Sequence, residues 1–175
     1  TNSINYVKVG DGVTDTIGQF EFEVNNGDEY YTRIWTGGEI FKYYKDYAAT
    51  ATTLRFRGRV EKVSYKDNRV VVTGRSESLK LMELTVTKIY TNQEVSLIIT
   101  DLLTSYGTSF TYANVLPTQT VYSVNWFQKP FWDCIEELCT LTGFDFYVDS
   151  ALDAHFYESG TVSNTTDAIV HEINL

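Results

Sequence analysis

Residues 54–76 read LRFRGRVEKVSYKDNRVVVTGRS and give the strongest structural signal in the chain. Over 54–65, apolar residues alternate with three arginines, a period of two that is typical of a half-buried strand. A polar turn at 66–68 then leads into a second apolar segment over 69–74. The pattern predicts an antiparallel β-hairpin with one face in a hydrophobic core.

The alternation slips inside the first of these strands. Up to Val60 the apolar side chains share one face, but Val63 and Tyr65 fall on the face that earlier held the arginines. One extra residue in a strand shifts the phase of every side chain that follows it. The sequence therefore predicts a β-bulge or a bend near Glu61 and Lys62.

The rest of the first ninety residues shows similar strand and turn signals. Alternation of apolar with polar residues and the turn at Gly37-Gly38 mark further elements. The predicted elements are strands over 19–24, 30–35, 39–44 and 84–90 and a short helix within 76–82. No long helix is expected in this part of the chain.

The pattern changes after residue 90. Thr91-Asn92-Gln93-Glu94 has the form of a capping box, and apolar residues then recur at helical spacing from Val95 until Gly107 offers a C-terminal cap. Pro130 suits the first position of a second helix, which Gly143 ends. The remaining predicted elements are a strand over 120–124 and a hairpin of 144–149 and 154–158.

These elements predict an α+β fold that is mainly β. Residues 1–90 are expected to form an antiparallel β-barrel or sandwich, and residues 91–160 a small α/β domain with two helices and a β-hairpin. Residues 161–175 comprise a polar linker and a strand that begins at Ile169. This strand either returns to pair with the barrel or begins a further domain.

The composition excludes several classes of protein. Fourteen basic and twenty-three acidic residues give a net charge of -9, which disfavours tight binding of a nucleic acid backbone. The apolar runs are a few residues long, far short of the roughly 20 that a membrane-spanning helix needs. We therefore expect neither a nucleic acid ligand nor a membrane partner.

The residue types that commonly act in catalysis or bind metals do not form a recognisable site in this sequence. Cys134 and Cys139 lie five apart in a predicted helix, so they point to different sides and are expected to be buried thiols. Asp133, Glu136 and Glu137 lie at the beginning of the same helix, where acids stabilise the helix dipole, and this interpretation is favoured over a catalytic carboxylate pair. The sequence indicates no catalytic residue, no metal ligand and no cofactor.

Four stretches, taken in order and with their spacing, resemble the hub proteins of phage tails and baseplates. They are LRFRGRVEKVSY at 54–65, RVVVTGRS at 69–76, NQEVSLIITDLL at 92–103 and PFWDCIEELCTLTGFDFYVDSALDAHFY at 130–157. The resemblance extends over residues 18–175. In that family the first β-barrel is a tube domain, and the α/β domain is inserted between it and a second tube domain, whose first strand would correspond to the strand from Ile169.

The resemblance implies a structural virion protein rather than an enzyme. Three copies would form a homotrimer around a central channel and connect the tail tube to the tip or spike. The genome would pass through this channel without specific binding. The protein would be assembled in the host cytoplasm and would reside in the tail of the virion. We further expect strands 54–65 and 69–74 to pair with strands of neighbouring subunits, because an unpaired sheet edge is a template for pairing.

The three arginines of the first strand are candidate interface residues. Arg55, Arg57 and Arg59 share one face, about 6.8 Å apart. They can pair across the sheet with Glu21 and Glu23, form a subunit interface, or contact DNA. Internal pairing with the two glutamates is the favoured interpretation.

Aromatic residues form the second candidate interface. Tyrosines and a tryptophan crowd the stretch before residue 54, among them Trp35, Tyr43 and Tyr44. Amphipathic aromatic side chains are common at protein interfaces and also stack on sugars. The alternative to a hub protein is therefore a carbohydrate-binding β domain of a viral or cell-surface protein.

Overall fold

The computed structural model of the protein describes residues 4–10, 18–27, 37–44 and 54–161. The elements are β1 (Ile4–Gly10), β2 (Gln19–Asn25), β3 (Ile40–Tyr44), β4 (Leu54–Lys66), β5 (Arg69–Ser76), α1 (Leu79–Met82), β6 (Thr85–Glu94), α2 (Val95–Ser105), β7 (Thr111–Val115), β8 (Val121–Pro130), α3 (Phe131–Thr142), β9 (Phe144–Val148) and β10 (Asp153–Glu158). The predicted α+β, mainly β fold class is confirmed. The predicted strand over 30–35 and the final strand from Ile169 lie outside the described residues.

Strands β1 to β5 form one antiparallel sheet in the order β1-β2-β5-β4-β3. The strands predicted over 19–24, 39–44, 54–65 and 69–74 are confirmed as β2, β3, β4 and β5. Strand β1, which the sequence analysis did not predict, adds to the outer side of β2. The inner face of this sheet, defined as the face that bears its hydrophobic cluster, buries Phe20, Phe22, Val24, Phe56, Val60, Val70 and Val72.

The sheet is curled into a half-barrel. Phe41 of β3 stacks on Phe20 of β2 with ring centroids 4.2 Å apart, although two strands separate them in the sheet. Two glycines provide space for the Phe20 ring. A Cβ atom at Gly74 would lie 2.0 Å from the carbonyl oxygen of Arg59, and one at Gly58 would lie 2.6 Å from that of Arg75. Both glycines are therefore required by close packing across β4 and β5.

The predicted bulge in β4 is confirmed. The register between β4 and β5 shifts between Val60 and Lys62, so that Val60 lies opposite Gly74 and Lys62 opposite Thr73. After the shift, Val63 joins the inner face and packs against the hydrophobic cluster. The bulge thus keeps one face of a thirteen-residue strand apolar along most of its length.

A second hydrophobic cluster lies farther along the chain. Helices α2 and α3 pack against the two-stranded sheet β6-β8 and the three-stranded sheet β7-β10-β9. The fully buried side chains of this second cluster include Ile98, Leu102, Phe131, Ile135, Leu138, Phe146 and Phe156. Leu81, Val86 and Tyr90, which precede the predicted start of the α/β domain at residue 91, also belong to this cluster.

The two helices begin differently from the prediction. Strand β6 continues to Glu94, and Gln93 and Glu94 pair with Tyr122 and Val121 of β8, so the prediction of a capping box over residues 91–94 is wrong. The Glu94 carboxylate accepts hydrogen bonds from the Thr118 amide and the Ser96 hydroxyl. Pro130 precedes α3 as its N-cap residue, and Gly143 ends the helix at φ 72°, as predicted.

Three smaller predictions can be compared with the structure. The hairpin of β9 and β10 is confirmed, while β8 is longer than the predicted strand over 120–124 and β7 was not predicted. Cys134 and Cys139 are both buried thiols, as expected, and burial raises the pKa of the Cys134 thiol to about 12. Within the described ranges, no helix has the length and apolarity to span a membrane.

Candidate interface

The outer face of the five-stranded sheet, opposite its hydrophobic cluster, holds the predicted arginines. Arg55, Arg57 and Arg59 alternate along β4 with the inward-facing Phe56 and Gly58. The side chain of Arg59 is 48% exposed, whereas that of Arg57 is 25% exposed. The three arginines therefore share a face, as predicted, but not a common degree of exposure.

A buried glutamate just after β5 holds two of these arginines. Glu77 has a side chain only 1% exposed, and its carboxylate accepts a hydrogen bond from Arg57 Nε. Lys80 Nζ lies 2.9 Å and Arg59 Nη2 3.6 Å from the same carboxylate. Burial raises the pKa of Glu77, but the hydrogen bonds and charges of Lys80 and Arg57 outweigh it, so the pKa lies below the ordinary value. Arg57 thus stabilises the folded subunit through its ion pair with the buried Glu77.

The predicted pairing of the arginines with Glu21 and Glu23 is wrong. Strand β5 lies between β2 and β4, which separates the two sets of side chains by a full strand. Glu21 instead accepts a hydrogen bond from Tyr6 at 2.8 Å and lies 3.6 Å from Lys8. Glu23 accepts hydrogen bonds from Arg69 at 3.3 Å and from Asn5 at 2.7 Å, on the strands that flank β2.

The bulge extends the row of cations beyond Arg59. Arg59 lies opposite Arg75, Lys62 opposite Thr73 and Lys66 opposite Arg69, all on the outer face. Lys62 and Lys66 are both exposed. We call Arg55, Arg57, Arg59, Lys62 and Lys66 the basic stripe. The sequence analysis missed its second half, although the slip in alternation that predicted the bulge also predicts this change of face.

The aromatic residues proposed for the interface have different environments. Tyr43 is on the inner face of β3 and packs against the hydrophobic cluster. Tyr44 is 42% exposed at the end of the same strand. Trp35 lies outside the described residues. Of the two tyrosines, only Tyr44 offers substantial surface to a partner.

The strands that could pair with another subunit are not those predicted. Strands β4 and β5 each have neighbours on both sides, so the prediction that they pair with neighbouring subunits is wrong. Among the described residues, β1 and β3 are the outer strands of this sheet. Each exposes an aliphatic side chain, Ile4 at 63% and Ile40 at 46%. Outer strands with unpaired backbone groups are templates for strand addition.

Of the acidic residues of α3, one forms internal hydrogen bonds and two are exposed to solvent. Glu137 of α3 accepts hydrogen bonds from Tyr122 at 2.6 Å, from Trp126 at 3.1 Å and from Lys129. Burial raises the pKa of Glu137, but the hydrogen bonds from these donors lower it by a larger amount, so the pKa lies below its ordinary value. Asp133 and Glu136 of the same helix are exposed. Glu137 therefore tethers α3 to β8, and only the other two acids face solvent.

A second group of side chains supports the β9-β10 hairpin. His155 stacks on Tyr147 with ring centroids 4.4 Å apart, and its Nε2 lies 3.1 Å from Asp149. Asp153 is buried and accepts hydrogen bonds from the Ala113 amide and the Asn114 side chain. These bonds hold β7 beside β10. His155 is half-buried in this hairpin.

The fold is shared with several solved proteins. The chain is similar to the 43 kDa tail protein of prophage MuSo2 from Shewanella oneidensis, with a TM-score of 0.60 and 12% identity over 94% of this chain and 57% of that one. It is also similar to a tail protein from Neisseria meningitidis MC58, with a TM-score of 0.60 and 9% identity over 89% of this chain and 51% of the other. An E. coli component of the type VI secretion system, which exhibits structural similarity to T4 bacteriophage tail proteins, gives a TM-score of 0.52 and 14% identity over 90% and 49% of the two chains.

These similarities define the chain as having the fold of phage tail proteins. The resemblance predicted from the sequence is thereby confirmed for the fold. By sequence, the chain matches no family model and no curated protein. The chain spans about half the length of the solved tail proteins.

Proposed function

We propose that the protein is a non-enzymatic subunit of a phage tail or baseplate hub that forms a ring around a central channel. The observation that supports this proposal best is the match of 94% of the chain to a prophage tail protein. The similarity to a type VI secretion component extends the proposal to related injection machines. Within the described ranges, the half-barrel has β1 and β3 as its outer strands, and further strands can add to such edges.

In this proposal the subunits join through the outer strands of the half-barrel. Backbone groups of β1 in one copy would pair with those of β3 in the next, which leaves the central strands β4 and β5 undisturbed. A head-to-tail contact of this kind forms a closed ring when its rotation closes. We propose a homotrimer, with a tube-like domain followed by the small α/β domain in each copy.

The proposed partners are other tail components. The ring would connect the tail tube to the tip or spike, and the genome would pass through the channel without specific binding. A net charge of -9 suits a channel that must not retain DNA. The protein would be assembled in the host cytoplasm and would then reside in the tail of the virion.

The proposed assembly is tested by the mass of the protein in solution. Multi-angle light scattering across a dilution series should give a trimer at high concentration. The double variant I4K/I40K should shift the protein to monomer, because charges on outer strands oppose strand addition. Ile4 and Ile40 are exposed, so circular dichroism and thermal unfolding of the variant should match those of the unmodified protein.

A matched control separates edge pairing from a general surface effect. Leu97→Lys with Leu141→Lys introduces the same two charges at exposed aliphatic residues of α2 and α3. This control should keep the oligomer. A protein that is monomeric at every concentration would contradict the proposed assembly, and an oligomer unaffected by I4K/I40K would contradict the proposed edge pairing.

A further inference from the structure

Charge is divided unequally along the chain. Residues 1–76 contain eleven basic and ten acidic residues, a net charge of +1. Residues 77–175 contain three basic and thirteen acidic residues, a net charge of -10. The overall negative charge therefore belongs to the second part of the chain, whereas most of the cations belong to the first. A cationic surface of the first part is complementary in charge to the second part of another copy.

The basic stripe concentrates the positive charge on one strand. From Arg55 to Lys66 it runs along about 36 Å of β4. Arg57 and Arg59 are held by Glu77, but Lys62 and Lys66 form no ion pair with any described residue. Lys42 of β3 lies opposite Arg57 and adds a further exposed cation beside the stripe. The unpaired end of the stripe thus lies beyond the bulge, around Lys62 and Lys66.

The negative region presents a matching pair of carboxylates. Asp133 and Glu136 are three residues apart on α3, so they occupy neighbouring positions on one side of the helix. Both are exposed, and neither forms an ion pair within the described part of the chain. The adjacent Glu137 is already satisfied by Tyr122, Trp126 and Lys129. Asp133 and Glu136 are therefore available to a cation from outside the subunit.

We propose that the basic stripe of one copy binds the acidic side of α3 in a neighbouring copy, with Lys62 and Lys66 facing Asp133 and Glu136. This contact rests on the proposed ring and names a second surface that orients its subunits. DNA is the competing ligand for a row of cations. The exposed acids Glu61, within the stripe, and Asp67, just after its end, would repel phosphates, and this favours a protein partner.

Charge reversal tests the contact. We expect K62E/K66E to weaken self-association about tenfold at low salt, because two interfacial pairs become repulsive. D133K/E136K should weaken it to a similar degree. The loss should be smaller at high salt, where the screening length falls to about 3 Å at 1 M. Neither variant alters a hydrogen bond of the described structure, so thermal unfolding should be unchanged.

Mixing the two variants gives the decisive measurement. K62E/K66E and D133K/E136K should associate with each other, because each supplies the charge that the other has lost. The control E83K/E158K makes the same change in net charge at two other exposed acids of residues 77–161. It should retain self-association, and when mixed with K62E/K66E it should not restore the lost affinity. Analytical ultracentrifugation with one variant fluorescently labelled resolves these mixed species.

The remaining outcomes show which part of the proposal is wrong: the stripe contact, the ring or the assignment to α3. An oligomer that resists K62E/K66E but is broken by I4K/I40K overturns the stripe contact and leaves the ring intact. A monomer under all conditions overturns both. Rescue by the E83K/E158K control overturns the assignment to α3 and indicates only bulk electrostatics. Loss of binding to a duplex DNA oligonucleotide by K62E/K66E, with self-association unchanged, assigns the stripe to phosphate instead.

Discussion

The five-stranded sheet and the helical region bury their apolar residues in different ways. In the helical region, layers of strand and helix enclose a cluster whose aliphatic members at the centre of α2 and α3 are fully buried. The sheet places its cluster on one curled face, where Phe41 and Tyr43 of the outer strand β3 remain only partly buried. The helical region has the more complete core, whereas the sheet leaves aromatic surface near an edge that another subunit can cover.

The largest expected effect is in the helical core. Leu138→Ala removes a fully buried side chain of α3 and should lower the free energy of unfolding by about 4 kcal/mol. Amide hydrogen exchange should show the loss in β6, α2 and α3 before it appears in β2 and β5. The control Leu141→Ala, at a side chain 43% exposed, should change stability by about 0.5 kcal/mol or less. Equal loss of protection in both regions would mean that they unfold as one unit.

The sheet should be most sensitive at a glycine. Gly74→Ala places a methyl group 2.0 Å from the Arg59 carbonyl oxygen and 2.6 Å from the Phe20 ring, at an expected cost of about 3 kcal/mol. Gly10→Ala is the matched control, because a Cβ there meets no atom within 4 Å. Chemical denaturation of the two variants measures the difference. A stable Gly74→Ala protein would show that β4 and β5 can separate without loss of the fold.

The link between the sheet and α1 should depend on pH. Because the pKa of Glu77 is lowered in the folded state, its contribution to stability is present above the unfolded value near 4.5 and is lost as the pH falls through the folded pKa. Glu77→Gln should therefore destabilise the protein by about 2 kcal/mol at neutral pH, and by less in acid. Thermal unfolding from pH 7 to pH 3 tests this. The control Glu83→Gln, at an exposed acid near α1, should change stability at pH 7 by about 0.5 kcal/mol or less.

The smallest predicted effect concerns the end of α3. Gly143 has a positive φ of 72°, and a Cβ at this position contacts nothing within 4 Å. Gly143→Ala should cost about 1 kcal/mol through backbone strain alone. Thr140→Ala, on the exposed side of the same helix, should be neutral or slightly stabilising. A neutral Gly143→Ala variant would show that the α3 to β9 connection adjusts freely.

Local patterns were sufficient to predict most of the fold. The alternation in β2, β4 and β5, the bulge, and the glycine that ends α3 all depend on near neighbours in the chain. Strand β7 was missed because its residues are almost all exposed and it is held by the distant Asp153. The capping box failed because pairing of Glu94 with Val121 extends β6. In each failure a contact distant in sequence outweighs the local signal.

The candidate site was predicted less well for the same reason. The shared face of Arg55, Arg57 and Arg59 follows from their spacing, but their partner does not. Glutamates on β2 are plausible partners only if β2 and β4 are neighbours, and strand order is a property of the whole sheet. Glu77, which pairs with Arg57 and Arg59, belongs to no strand and has no periodic signal. Trp35 lies outside the described residues, so its role stays a prediction.

The bulge between Val60 and Lys62 makes Glu61 dispensable for the pairing of β4 with β5. Val60 lies opposite Gly74 and Lys62 opposite Thr73, and these two partners are consecutive residues. A chain that lacks Glu61 would therefore pair in unbroken register, with Lys62 still on the outer face and Val63 still on the inner face. Substitution at position 61 would instead keep the bulge and remove the ion pair with Arg75. Natural variation at this point should therefore tolerate the loss of one residue as well as a change in its identity.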